Sequence, residues 1–413
     1  MKPVFGLWIM IIFLSVACRI IEGENSTVAS AEKRNLNVAD PVDQAKWNFA
    51  LRVWRQSGPT SNSAVISPVF AALFIAIARL GSDGDTADEI MHTLRYPDTS
   101  GENVTDDKLL ASWKEEFDEL LSCPLNSLFC INAVHLLQKS NETVIKEMFL
   151  EKLRTFLNGK LQVENYDDFM ERITSEEFQA ARPKSERIVG EMSFSTNSFV
   201  FLVNASFYDQ RWKNKFKLEK TITRDFGPNR ESVAKLPFMP GEVFTSYFFG
   251  DNEDVQILGI PFADNVTCMY IFLPLDKNGL AKFELESEGD RLLQMIMKLR
   301  FVDVEVEALK FEMSSKVDLT PGLRRLDFRK AVSPEANFAK MLDSYVFIQN
   351  ITLNTIVRVD EDGFKAEELN PTTKLPVPKV LWQGPHYRFV AYHPFLFIIA
   401  KNQKQMLYIG RYL

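Results

Sequence analysis

The chain has 413 residues, 46% of them hydrophobic and 25% charged, which is enough apolar material to bury a large core. Its formal net charge of −7 argues against a general nucleic-acid-binding role. Beyond the N-terminus no apolar run is long enough to span a bilayer, so no membrane insertion is expected.

Residues 1–17 read as a secretory signal peptide. Lys2 supplies the positive end, residues 4–16 the apolar centre, and Ser15-Val16-Ala17 the small residues of a cleavage site. The alternative is a buried first helix, but the polar stretch 22–30 follows directly. The expectation is a secreted, extracellular protein. Residues 18–40 read as a flexible N-terminal arm. Residues 41–413, with no repeat and no linker, read as a single domain.

Helical spacing of Trp47, Ala50, Leu51 and Trp54 predicts a helix over 44–55. A turn at 61–63 and a short strand at 65–66 follow. Ser67-Pro68 opens a helix through Leu80, with Pro in the favoured first turn. Gly81 and Gly84 break it, and Asp85 caps the next. Amphipathic helices are expected at 106–121 and 142–157, around a strand near 131–137. Residues 164–192 are charged and helix-like. An apolar strand covers 198–207, ahead of Trp212 and Phe216. Short strands are expected at 236–239, 258–262 and 269–274, and a helical run at 318–331.

Cys123 and Cys130 are close enough in sequence to form a local disulfide in an oxidising compartment, or to remain two buried thiols. Cys268 lies in an apolar strand and reads as a packed thiol. Sequons at Asn25, Asn103, Asn141, Asn265 and Asn350 are glycosylation candidates. The sequon at Asn204 falls inside an apolar strand and reads as buried.

The last fifty-five residues, 359–413, organise the rest. They open on Val-Asp-Glu-Asp-Gly at 359–363 and close on His-Pro-Phe-Leu-Phe at 393–397 and Tyr-Ile-Gly-Arg at 408–411. Pro371, Pro376 and Pro378 make the middle a poor strand and a poor helix, hence an exposed loop between buried strands.

This arrangement resembles the reactive-loop region of the serpins. Glu361, Gly363, residues 393–397, Gly410 and Arg411 stand where that pattern wants them. Earlier segments agree: Asn62 with Ser67-Pro68, Leu80-Gly81 with Asp85-Thr86-Ala87 and Glu89-Ile90, Val203-Asn204-Ala205 with Phe207 and Trp212, and residues 334–338. The resemblance implies an α+β fold of three β-sheets and eight or nine α-helices, with a reactive-centre-like loop at about 363–385. It implies no cofactor, no metal and no enzymatic activity. It also implies a monomer whose partner is an extracellular protein, such as a serine protease, or a small apolar ligand.

In inhibitory serpins the loop, once cut, inserts into the main sheet as a new strand. The hinge here is Phe364, Lys365, Ala366, Glu367, Glu368, Leu369, Asn370 and Pro371, where the family carries Thr or Ser, Glu and small residues. On insertion Phe364 and Glu368 would face the core, and Pro371 would remove a ladder hydrogen bond. The polar cluster beneath the sheet is also half replaced. Ser67 and Asn204 match it, while Phe70 and Leu353 stand for a Ser and a His. The resemblance also implies a place for Trp212 at the breach, where the main sheet opens to the loop. Fifteen residues counted from Gly363 reach Val377, before Pro378. Lys374 (before Leu375) and Lys379 (before Val380) are the trypsin-like alternatives. The expectation is a secreted serpin-fold protein with little protease trapping that acts by binding. The alternative is a working serine-protease inhibitor. No Gly-x-Ser-x-Gly, P-loop or His-Glu-x-x-His pattern supports an enzyme.

Overall fold

The computed structural model describes residues 40–59, 61–94, 106–120, 134–138, 145–175, 200–203, 210–227, 233–249, 254–343, 346–349, 351–364 and 387–413. Helix α1 (Pro41–Ser57) starts where the Asp40 carboxylate accepts the Val42 N–H at 2.8 Å, with proline at the first turn. It buries Trp47, Leu51 and Trp54. Strand β1 (Ala64–Ile66) leads into α2 (Pro68–Gly81), whose Ala71, Ala72, Leu73, Ile75 and Ala76 are all fully buried. An apolar helix of this kind belongs inside the molecule. Helices α3 (Gly84–Leu94) and α4 (Asp106–Leu120) follow, then β2 (Val134–Gln138), α5 (Glu147–Phe156), β3 (Leu161–Asn165) and α6 (Tyr166–Thr174).

The second half is strand-rich. It comprises β4 (Val200–Val203), β5 (Gln210–Arg211), β6 (Ile222–Phe226), β7 (Ala234–Phe249), β8 (Val255–Pro261) and β9 (Thr267–Pro274). Helices α7 (Leu280–Glu286) and α8 (Gly289–Met297) precede β10 (Arg300–Leu309) and β11 (Phe311–Asp318). Then come α9 (Thr320–Arg325), β12 (Thr352–Val359), β13 (Gly363–Phe364), β14 (Tyr387–Val390), β15 (Phe395–Lys401) and β16 (Gln405–Tyr412).

A nine-stranded sheet runs β1-β16-β15-β9-β8-β7-β10-β14, with β6 also on β7. A three-stranded sheet is ordered β3-β2-β4, and β11 pairs with β12. Two-residue β13 pairs with β5. The architecture is therefore α+β, with nine α-helices and more than three sheet groups among the described residues.

Two elements differ from the sequence reading. The strand expected at 236–239 is part of β7, which runs on through Pro240-Gly241 to Phe249. Its partner β6 ends opposite Phe238 and β8 begins opposite Ser246, so Pro240 has only β10 beside it and its missing N–H interrupts no second ladder. The helical run expected at 318–331 shrinks to α9 and one 3₁₀ turn, because Asp327 takes a positive φ of 69° and ends the helix. The closing strands behave as expected: β9 is buried throughout, and β15 is buried from Phe395 to Ala400.

Candidate functional site

Strand β12 does not run straight into the loop. The Asp360 N–H donates to the Gly363 carbonyl at 3.0 Å and the Gly363 N–H donates back at 3.3 Å, so Glu361-Asp362 form a two-residue turn. The Asp360 carboxylate accepts the Asp362 N–H at 2.9 Å, closing the turn from inside. The chain then heads back alongside β12 as β13. On its other side β13 pairs antiparallel with β5, Gly363 opposite Arg211 and Phe364 opposite Gln210. Gly363 and the first hinge residue, Phe364, therefore already occupy the start of a new strand position.

Gly363 is required there. Its φ is +144°, and a Cβ would lie 2.3 Å from the Gln210 carbonyl and 2.6 Å from the Arg211 Cα. No side chain fits between β13 and β5 at that point.

Residues after β5 fasten the turn. The Trp212 N–H donates to the Asp362 carbonyl at 2.9 Å, and its indole Nε1–H to the Asp360 carbonyl at 2.7 Å. Its ring is buried, stacked on Phe262 at 4.6 Å and met edge-on by Phe216 at 6.4 Å. The Phe216 N–H donates to the Glu361 carbonyl at 2.9 Å. Lys215 Nζ reaches the Asp362 carboxylate at 2.8 Å on the surface.

Glu361 is buried and carries the charge of the turn. Its carboxylate accepts Lys310 Nζ at 2.7 Å and the Thr221 hydroxyl at 2.6 Å. Burial acts to raise its pKa, but the hydrogen bonds from Lys310 and Thr221 outweigh it and hold the carboxyl below its usual range. Trp212, Glu361 and Gly363 thus come together at one turn. Lys310, Thr221 and Lys215 were missed in the sequence, because they lie on separate strands with no local motif.

Under the sheet, the Ser67 hydroxyl donates to the Leu407 carbonyl at 2.8 Å. Phe70 and Leu353 are buried. Asn204, the fourth residue of that expected cluster, lies outside the described residues.

The loop returns at β14, which adds to β10 in parallel with Val304 opposite Tyr387. Glu307 of β10 is buried, and its carboxylate accepts Arg224 of β6 and Arg388 of β14, each at 2.9 Å. This three-strand tie carries no sequence signature. His393 is buried between Tyr392, whose ring it meets edge-on at 4.8 Å, and the Pro394 carbonyl at 3.2 Å. Burial lowers its pKa, so the ring is held neutral.

The remaining candidates fall outside the described residues: Lys365, Ala366, Glu367, Glu368, Pro371, Lys374, Leu375, Val377, Pro378, Lys379, Val380, Cys123, Cys130, Asn25, Asn103, Asn141 and Asn350. Asn265 is described and sits on an exposed turn with φ 62°. Among the described residues no group of His, Cys, Asp or Glu is placed to hold a metal ion, and no helix is long and apolar enough to cross a membrane.

Residues 44–413 match the family described as "Serpin (serine protease inhibitor)". Human serpin I2 is 24% identical over 377 residues, covering 89% of this chain and 90% of its own. The native thermophilic serpin tengpin shares the fold with a TM-score of 0.74 at 19% identity, covering 91% of this chain and 95% of its own. Human thyroxine-binding globulin, solved with its hormone, gives a TM-score of 0.70 at 17% identity, covering 90% of this chain and 97% of its own.

Proposed function

The chain belongs to the serpin family, and from that premise we propose that it is a secreted serpin-fold protein with little or no protease-trapping activity, acting by binding a ligand or protein partner. Trapping requires the cut loop to continue as a strand beside β12. The register at β13 carries the reading. Continued without a bulge, the pairing of Gly363 with Asp360 sets Glu368 opposite Thr355 and Pro371 opposite Thr352. The pairing with β5 sets Pro371 opposite Val203 on β4.

Residues opposite one another in an antiparallel pair share a face. Leu353, Thr355, Val357 and Val359 are the buried side of β12, so Glu368 would enter that face. Burying a carboxylate without a partner costs several kcal/mol. Proline flanked by strands on both sides loses a ladder bond that nothing replaces. Phe364 weighs less than the sequence alone suggests, since β13 already holds its backbone in the strand position.

The partner is an extracellular protein or a small apolar ligand, and the fold's occurrence in a thyroxine-binding globulin supports the second class. Residues 1–17 act as the signal peptide and 18–40 as an arm, ahead of one domain. Asn265, exposed on its turn, is available for a glycan. The second reading is serine-protease inhibition with cleavage near Lys374, Val377 or Lys379. The seated start of β13 favours it, because the slot is already open at its top.

The two readings separate on one gel and one melting curve. The protein is incubated with trypsin-like, elastase-like and chymotrypsin-like proteases. Simple cleavage, with little change in Tm of the product, is expected. A covalent complex stable to denaturant, together with a large rise in Tm, would sink the binding reading. Replacing residues 364–371 with a Thr-Glu-Ala-rich hinge is expected to restore that rise.

A further inference from the structure

Tyr166 stands apart from the other tyrosines of the chain. Of the ten, it alone has four carboxylates, Glu164, Asp167, Asp168 and Glu171, and no Lys or Arg within five residues on either side. Tyr247 comes next with two, Glu242 and Asp251. Tyr166 lies where β3 ends and α6 begins. The Asn165 side-chain carbonyl accepts the Asp167 N–H at 2.7 Å and the Asp168 N–H at 3.3 Å, which starts the helix. Phe169 is buried and anchors it. Strand β3 stands at the end of the order β3-β2-β4 and pairs with β2 alone among the described residues. Gln162, Val163, Asp167, Asp168 and Glu171 are exposed, and Tyr166 is half-buried. An acid-flanked tyrosine thus lies at a sheet edge, where a second protein can reach it.

We propose that Tyr166 is a sulfation site, its phenol esterified by a sulfuryl group taken from an adenosine phosphosulfate. That donor is a polyanion, so an enzyme that uses it presents a cationic cleft, and such a cleft selects an acceptor flanked by carboxylates. In the transfer the phenol oxygen bonds to sulfur. The bond from sulfur to the bridging phosphate oxygen breaks, the phosphate leaves with the electron pair, and the phenol proton passes to a base of the enzyme. The ester adds a fifth negative charge to the four acids at 164–171. It does so at the N-terminal end of α6, where the helix dipole favours an anion. The site rests on the secreted reading, because activated sulfate and its transferase meet their acceptors in the secretory lumen, but it is independent of the loop and of protease trapping.

The test uses the full-length protein, expressed in secretory cells fed radiolabelled sulfate, collected from the medium and digested with trypsin. Cleavage after Lys160 and Arg172 releases residues 161–172, in which Tyr166 is the only residue that carries a hydroxyl. This peptide is expected to gain the mass of one sulfuryl group, to carry the label, and to keep it through alkaline phosphatase. Tyr166→Phe is expected to abolish labelling of the peptide. The double variant D167N/D168N, which keeps the phenol, is expected to lose most of the label. An unmodified peptide from the secreted protein, or a label that survives Tyr166→Phe, would overturn the site. A group that phosphatase removes would overturn the sulfate assignment, and full labelling of D167N/D168N would overturn recognition through the acids. Retention of the protein inside the cell would sink the secreted reading instead. The site is then read by transfer from the radiolabelled donor to the intact purified protein by a purified tyrosine sulfotransferase, and no transfer to Tyr166 there would overturn it.

Discussion

At its departure end the loop leaves from a turn held by polar contacts: Trp212 Nε1–H on the Asp360 carbonyl, Lys310 and Thr221 on Glu361, Lys215 on Asp362. At its return end it comes back through β14 into β15, where Phe395, Leu396, Phe397, Ile398 and Ile399 are fully buried between β9 and β16. A hydrogen bond contributes about 1 kcal/mol net, because water offers a replacement. A fully buried Leu, Ile or Phe contributes about 1.5–3 kcal/mol, and water offers none. The departure end is thus made of contacts that can be exchanged, and the return end of contacts that cannot. A loop that moves must hinge at the first and stay anchored at the second.

The largest test of that contrast removes the anchor. The ring of Phe397 lies against Gly410 of β16, where a Cβ would come within 2.5 Å of it, and meets Phe311 at 5.7 Å. Phe397→Ala is expected to cost about 3–5 kcal/mol of global stability by urea unfolding. A loss below about 1 kcal/mol would mean that β15 is not the anchor.

Next in size is the turn. Gly363→Ala forces a Cβ into the β5 backbone at a φ that disfavours side chains. Its expected cost is about 1–3 kcal/mol, confined to the hinge. Amide exchange should rise at residues 360–364 and at 212–216, and remain unchanged in β15. Faster exchange in β15 as well would show the two ends to be one cooperative unit. Lys310→Met is expected to cost about 1–3 kcal/mol, since it leaves Glu361 buried with Thr221 alone. It should also raise the pH at which the turn begins to open in acid. An unchanged acid midpoint would remove Lys310 from the network.

The same contrast decides what the sequence revealed. The run Phe395-Leu396-Phe397-Ile398-Ile399 announces a strand buried on both faces, because apolar burial is written in consecutive residues. Gly363 was legible for a similar reason, as a glycine at the end of a strand. Lys310, Thr221 and Lys215 were not, since each meets the turn from a different part of the chain and a lone Lys or Thr has no pattern of its own. The Glu307 tie between Arg224 and Arg388 escaped in the same way. The strand expected at 236–239 stops short of Pro240; β7 passes through that proline because only β10 is beside the strand there.

The smallest expected effect separates the two ends by pH. Glu361 is held below its ordinary value of 4.5, so the stability it contributes is present above that pH and lost only as pH falls further. His393, at the return end, is held below its ordinary value of 6.5 by burial; Lys277 opposes its protonation, Asp276 and the Pro394 carbonyl favour it. Between the two values the unfolded chain binds the proton and the folded chain does not, so stability falls as pH drops below about 6.5. The return end is therefore expected to weaken first on acidification, and the departure end later. His393→Asn should flatten the dependence of Tm on pH between about 6.5 and 5 and leave the acid limb below 4.5 in place. Glu361→Gln should do the reverse. A His393→Asn variant that keeps the wild-type slope would place the titration elsewhere, and leave the anchor as indifferent to acid as its apolar contacts suggest.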